Sequence, residues 1–152
     1  MHRSIIETPL GPMAIMAEGG ALVTASFDAT EAPSPTSSAA ASRFVAWFAG
    51  ELDALDALAC AAPGTPFQQR VWAALREIPR GTTLTYAELS DRLGDRLAIR
   101  AVARANGANP IAIAVPCHRV IGSDGKLVGY AGGLERKRWL LAHEGAPGFL
   151  VP

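Results

Sequence analysis

Short turn-bounded apolar runs dominate the start of the chain. Ser4–Glu7, Met13–Ala17 and Ala21–Phe27 read as strands, and Gly19-Gly20 is a hairpin signal between the last two. Residues 29–42, ATEAPSPTSSAAAS, are rich in Pro, Ser and Ala and read as a loop. From Ser42 to Leu52 the period changes. Phe44, Val45, Trp47 and Phe48 recur at helical spacing and predict an amphipathic helix. A loop from Cys60 to Gly64 closes this unit, so residues 1–62 form a small α+β domain with a short sheet.

The second part, residues 63–152, reads as mostly helical. Thr65-Pro66-Phe67-Gln68 is a capping box with proline at the first helical position. The helix it opens carries Phe67, Val71, Trp72, Leu75 and Ile78, and Pro79 stops it. Thr85-Tyr86-Ala87-Glu88 is a second capping box, opening a short helix that ends at Gly94. A third helix spans about Arg96 to Asn106, with Gly107 just beyond. Two short helices around a tight Gly-containing turn make a helix-turn-helix candidate, and the domain is winged-helix-like. Ile111–Val115 is wholly apolar and reads as a buried strand leading to Pro116-Cys117-His118-Arg119. A Gly122-Ser123-Asp124-Gly125 turn and a glycine-rich loop, Gly129-Tyr130-Ala131-Gly132-Gly133, follow. A last helix starts near Leu134 and ends at His143-Glu144-Gly145. The fold class is therefore α+β, a small sheet domain followed by a helical one.

Composition narrows the class. Apolar residues make up 49% and charged residues 18% of 152, which excludes a disordered or tail-like protein. No apolar run approaches the ~20 residues of a membrane span. Glu7 and two early prolines interrupt any signal-peptide pattern, so a cytoplasmic location without membrane association is expected. Cys60 and Cys117 read as free thiols there, and the three histidines make no zinc-type spacing, so no metal is expected. The net charge of zero hides an asymmetry. Residues 1–62 carry two basic and seven acidic side chains, whereas residues 63–152 carry twelve basic and seven acidic. That second balance suits a phosphate-bearing partner, and it equally suits a solvated face.

The candidate chemistry centres on Cys117. A cysteine after a buried strand, with proline before it and histidine after, looks like a presented nucleophile, because the thiolate is the reactive form and a histidine commonly generates it. Cys60, in an Ala-rich stretch, reads as inert packing. Adjacent side chains on an extended segment point to opposite faces, so His118 needs a turn or a bridging water to reach the sulfur. A carboxylate should orient the imidazole. Glu144 is a candidate, though its position is equally that of a solvated helix-terminal residue.

Arg100-Ala101-Val102, Asn109-Pro110-Ile111 and Val115-Pro116-Cys117-His118-Arg119-Val120-Ile121 resemble the active-site signature of the O6-alkylguanine-DNA alkyltransferases. Gly129-Tyr130-Ala131-Gly132-Gly133 and Trp139-Leu140-Leu141-Ala142-His143-Glu144-Gly145 continue the match in order, so the resemblance covers about residues 63–146. It implies direct-reversal repair. A helix-turn-helix binds the minor groove of duplex DNA, the O6-alkylguanine is flipped out, and its alkyl group moves to Cys117 in a single turnover, with no cofactor. O4-alkylthymine is a further candidate substrate. His118 and Glu144 match the relay that deprotonates Cys117 through a water, and Asn109 matches the asparagine bracing the active-site turn. Arg100 matches the arginine finger that fills the vacated stack. The helix carrying Ala101, Ala103 and Ala105 matches the one that approaches the groove. Tyr86 matches the tyrosine that rotates the 3′ phosphate and assists the departing guanine, and Ser123 joins the DNA-contacting set. Val120, Tyr130 and Ala131 match the base pocket. The resemblance also implies a monomer in solution, with cooperative assembly on DNA left open.

Two departures stand out. Ala131 replaces a serine that some members carry, and the zinc ligands of some N-terminal domains have no counterparts here. A phosphotriester-sensing domain is also lacking, which argues against a transcriptional role. Alkyltransferase-like proteins that keep the fold but lose the cysteine are the nearest rival, and Cys117 is intact. A Cys-His hydrolase would need no arginine-bearing helix-turn-helix, and a plain winged-helix regulator would need no reactive thiol.

Overall fold

The computed structural model describes residues 2–33 and 38–149. The chain divides into two compact units, Met1–Pro63 with Pro110–Ala114, and Gly64–Asn109 with Val115–Pro152. Among the described residues no helix is long and apolar enough to cross a membrane.

In the first unit, β1 (His2–Ile6), β2 (Met13–Glu18) and β3 (Ala21–Ser26) form an antiparallel sheet in that order. Gly19 and Gly20, at φ of 59° and 82°, supply the left-handed pair that a two-residue hairpin needs to match strand twist. Helix α1 is Ala39–Phe48, earlier than the span expected from residue 42. The reason is local. The Ser38 side chain accepts from the Ala41 amide, and the alanines that follow it are the strongest helix formers. The expected loop over 29–42 therefore ends at this cap, and its residues 34–37 lie outside the described residues. Phe44 and Trp47 are essentially fully buried and carry the core side of α1.

The second unit opens as its capping signals require. Helix α2 (Pro66–Arg76) and helix α3 (Tyr86–Arg92) each start with a complete capping box, at Thr65/Gln68 and Thr85/Glu88. A 3-10 turn over Arg96–Ala98 leads into α4 (Ile99–Gly107), completing the helix-turn-helix. The buried Trp72 of α2 donates its indole N–H to the Ala105 carbonyl of α4 at 2.9 Å. Gly64 lies against the same indole: a Cβ there would come within 2.6 Å of the ring. A parallel pair, β4 (Leu84–Thr85) with β5 (Val120–Ile121), sets the entry to α3 beside the strand that follows the cysteine. Helix α5 is Leu134–His143.

The expected strand at Ile111–Val115 does not form. Ile111 makes an isolated parallel bridge to Ala25, and the chain then turns. The Ala114 amide donates to the Ala112 carbonyl at 2.9 Å around Ile113, whose φ is 72°. This is a γ-turn of the strained hand, in a region where a β-branched residue is rarely found. The buried Ile113 side chain explains why an apolar run imitated a strand.

Candidate active site

The chain enters the site through a second tight turn. Pro116, at φ −83° and ψ 65°, is the centre of an inverse γ-turn in which the Cys117 amide donates to the Val115 carbonyl at 2.8 Å. The Asn109 side-chain amide donates to that same carbonyl at 2.7 Å, so one acceptor ties the segment after α4 to the residue before the turn. Cys117–Arg119 then form a 3-10 turn in which all three residues are buried. Cys117 and His118 thus lie in a turn rather than on an extended strand.

His118 is completely buried and its Nε2 lies 2.8 Å from Glu144 Oε1. A carboxylate only accepts, so Nε2 carries the proton and Nδ1 is left as the basic nitrogen. His118 Nδ1 is buried with no protein partner. Glu144 caps the end of α5, yet it is buried rather than solvated.

Sequence reasoning missed the residue that makes this burial tolerable. Arg119 donates Nε to Glu144 Oε1 at 3.0 Å and Nη2 to Oε2 at 2.5 Å, and its Nη1 donates to the Ile78 carbonyl at 2.6 Å. A bidentate guanidinium is the strongest ordinary partner for a carboxylate. Burial pushes the Glu144 carboxyl up, but His118 and Arg119 together bring it down to about 2. The bidentate Arg119 guanidinium stays paired with Glu144 whether or not the imidazole is charged. Burial also lowers the His118 pKa; Glu144 opposes this, and the Arg119 and Lys137 charges reinforce it. The imidazole is therefore neutral at rest, as a base must be.

Lys137 of α5 was also not anticipated. It is 0% exposed, and its ammonium donates to the Val128 and Gly129 carbonyls at 3.0 and 3.2 Å. Burial lowers its pKa to about 8, against the pull of the Cys117 charge. Burial pushes the Cys117 thiol up, while the Asn109 hydrogen bond and the Lys137 charge pull it down. The two oppositely signed groups thus favour each other's charged forms.

The remaining expected residues divide. Tyr86 and Tyr130 both feel the Cys117 charge, and burial raises both phenols. The Tyr86 hydroxyl donates to the Val128 carbonyl at 3.4 Å, and the buried Tyr130 hydroxyl has no partner. Val120 is fully buried in β5, and Ala131 is exposed in the glycine-rich loop. Arg100 is exposed and Ala101 half-buried on α4, and Ser123 is exposed in the turn closed by Gly125 N–H to Gly122 O. These last three stand outside the hydrogen-bonded cluster. Ala105 is buried, with its carbonyl on Trp72, so the alanine run on α4 does not present a single exposed face.

A family model described as 6-O-methylguanine DNA methyltransferase, DNA binding domain, matches residues 66–146. The chain belongs to the methylated-DNA–protein-cysteine methyltransferase family. A methyltransferase of this name from Mycobacterium bovis is 46% identical over 153 residues, spanning 95% of this chain and 92% of the relative. The Salmonella typhimurium methyltransferase is 60% identical over 99 residues, which cover 65% of this chain and 58% of that protein. The crystal structure of Mycobacterium tuberculosis OGT in complex with DNA is similar at a TM-score of 0.82 and 45% identity, over 99% of this chain and 98% of that one. The methyltransferase fold seen here, a three-stranded antiparallel sheet with a helix followed by a helical unit, agrees with the sequence reading.

Proposed function

We propose that this chain repairs O6-alkylguanine in duplex DNA by moving the alkyl group, once and irreversibly, onto Cys117. The observation that carries the reading is the polarity of His118: Glu144 holds Nε2–H, and the buried Nδ1 is left free to take the thiol proton. A bridging water delivers that proton to the imidazole. The imidazolium forms against an ionised Glu144, the arrangement that stabilises it best.

The thiolate then attacks the alkyl carbon. The sulfur–carbon bond forms as the carbon–O6 bond breaks, and the electron pair leaves with guanine. The base gains one proton, donated through Tyr86, which balances the one Cys117 gave up. The product is a thioether. Unlike an acyl-cysteine it has no carbonyl for water to attack, so the chain reacts once and stops. No cofactor takes part.

DNA is engaged by the helix-turn-helix of α3 and α4 in the minor groove, with the unit from Gly64 onward carrying both binding and chemistry. Arg100, exposed on α4, fills the stack when the damaged base turns out, offsetting a few kcal/mol of lost pairing and stacking. Ala101 and Ser123 border the same groove, while Val120, Tyr130 and Ala131 border the base. Asn109 keeps the turn at Val115–Cys117 in place. The protein acts as a monomer in the cytoplasm, where its two cysteines, neither of them in a disulfide, stay reduced.

Intact-protein mass after exposure to an O6-methylguanine duplex tests this directly. One methyl group on Cys117, none on Cys60 and no second turnover are expected, and Cys117→Ser should abolish transfer while retaining DNA binding. Repeated turnover, or a modified Cys60 beside a free Cys117, would overturn it. Arg100→Ala should slow transfer from duplex far more than from the free alkylated base; equal losses would remove Arg100 from the extrusion step.

A further inference from the structure

Helix α4 buries Val102, Ala105 and Asn106, whereas Arg100, Arg104 and Gly107 are exposed and Ala101 is half-buried. Steps of three and four residues put the second group on one side of the helix. The same step backwards reaches Leu97, in the 3-10 turn Arg96–Ala98 that runs into α4. Leu97 is 97% exposed, the most exposed large apolar side chain among the described residues, and Ile99, beside Arg100 in the chain, is exposed too. A lone surface leucine is ordinary, but this one stands on a fixed turn. The Asp95 carboxylate accepts from the Leu97 amide at 3.0 Å, and the Asp95 carbonyl accepts from the Ala98 amide at 3.2 Å. Its neighbour Arg96 is clamped to Asp91 by hydrogen bonds of 2.8 and 2.5 Å. Both nearby carboxylates are thereby engaged, and α4 itself carries arginines and no acid.

We infer that Leu97 is an apolar contact to duplex DNA, packing against the wall of the minor groove while Arg100 enters the stack. The inference rests on the function proposed above, which puts this face of α4 in the groove. A face with two arginines and no carboxylate complements a polyanion and repels a second copy of itself. Minor-groove proteins commonly combine cations with apolar side chains that enter the groove. A backbone already fixed in its turn has little left to order on binding, so more of the leucine's burial appears as affinity. Covering apolar surface releases no counterion. This part of the binding therefore does not weaken with salt as phosphate contacts do.

The test is binding of the full chain to a fluorescein-labelled duplex without a lesion, followed by anisotropy from low to physiological salt. Leu97→Ala should weaken binding about fivefold, a partial share of burying a leucine, and by the same factor at every salt concentration. Leu97→Met, similar in volume and apolar, should bind as the wild type does. Val45→Ala, which trims an exposed apolar side chain of α1, should leave binding unchanged. The melting temperature of Leu97→Ala should match that of the wild type, because the side chain is exposed. Unchanged binding by Leu97→Ala, or a loss whose factor shrinks as salt rises, would overturn the contact. So would a concentration-dependent dimer of the DNA-free wild type that Leu97→Ala dissolves, which would assign the leucine to a second copy. These outcomes leave the repair reading intact while the wild type still transfers an alkyl group from a lesion duplex to Cys117. Failure of the wild type to bind duplex at all would overturn both.

Discussion

The two units bury different things. In the first, the buried polar residues among those described are Ser4 and Thr8, and the interior is Ile, Met, Leu, Ala, Phe and Trp. In the second, His118, Arg119, Lys137 and Glu144 are all buried, along with Asn106 and Ser90. Withdrawing ionisable groups from water is costly, and a well-packed apolar set in their place is often as stable or more so. The first unit is thus organised for folding. The second sacrifices stability to hold a thiol, a base and two cations in one apolar setting, where charges act strongly on each other.

The largest test of this contrast is Glu144→Gln. It removes the carboxylate that Arg119 and His118 share and leaves a buried guanidinium uncompensated. Transfer to Cys117 should fall by about 10²–10³-fold, and unfolding free energy by about 3–5 kcal/mol. Single-turnover kinetics and urea unfolding check the two losses separately. A variant that loses rate while keeping full stability would show that the buried pair is not what holds the second unit together.

Phe44→Ala asks the converse question of the first unit. Emptying a fully buried aromatic site should cost about 3–5 kcal/mol. The rate constant of the folded fraction should stay at its wild-type value, because no chemistry is buried there. A reduced rate constant in fully folded Phe44→Ala would break the division of labour.

Acid should act through the second unit. The folded pKa of Glu144, about 2, lies below its ordinary 4.5, so its stabilisation is present above about pH 4.5 and is lost as pH falls toward 2. His118 is held neutral by burial, so the unfolded chain takes up its proton first and stability declines further as pH drops below 6.5. On the alkaline side the signs oppose. Burying Lys137 as a cation costs stability below about pH 8, and that cost is relieved toward 10.5. The raised Cys117 pKa contributes stability that is lost as pH climbs past 9.0 and through its folded value. Urea unfolding from pH 7 to 3 should therefore show a steep decline that is shallower in Glu144→Gln. A parallel decline in both proteins would place the acid sensitivity elsewhere.

The smallest expected effect is Trp72→Phe. It keeps most of the packing but leaves the Ala105 carbonyl of α4 without its 2.9 Å donor, at a cost of about 1–2 kcal/mol in thermal unfolding. No measurable change would mean that the indole serves by its bulk alone.

Much of this architecture was legible along the chain because its signals are local. Thr65/Gln68 and Thr85/Glu88 satisfy orphan amides within their own first turns, and they begin α2 and α3 where expected. Gly19-Gly20 closes its hairpin by backbone freedom alone. The run from Pro116 to Arg119 pointed to the proposed nucleophile and base by residue type. The start of α1 was misplaced because the alanines after Ser38 looked like low-complexity filler.

Other features depend on residues far apart in the chain. The apolar pentapeptide is interrupted by a γ-turn at the buried Ile113, and a second γ-turn follows at Pro116, where Asn109 holds the Val115 carbonyl. Nothing in the local sequence assigned roles to Arg119 and Lys137; folding brings them to a carboxylate 25 residues away and to a pair of loop carbonyls. Residue types and local spacing singled out a thiol with a neighbouring imidazole and a helix-turn-helix candidate, and the family resemblance added Glu144 as the carboxylate. Which nitrogen of His118 carries its proton, and which cation's charge acts on the thiol, was decided by tertiary contacts, because proton placement and charge stabilisation depend on distance and burial rather than on order along the chain.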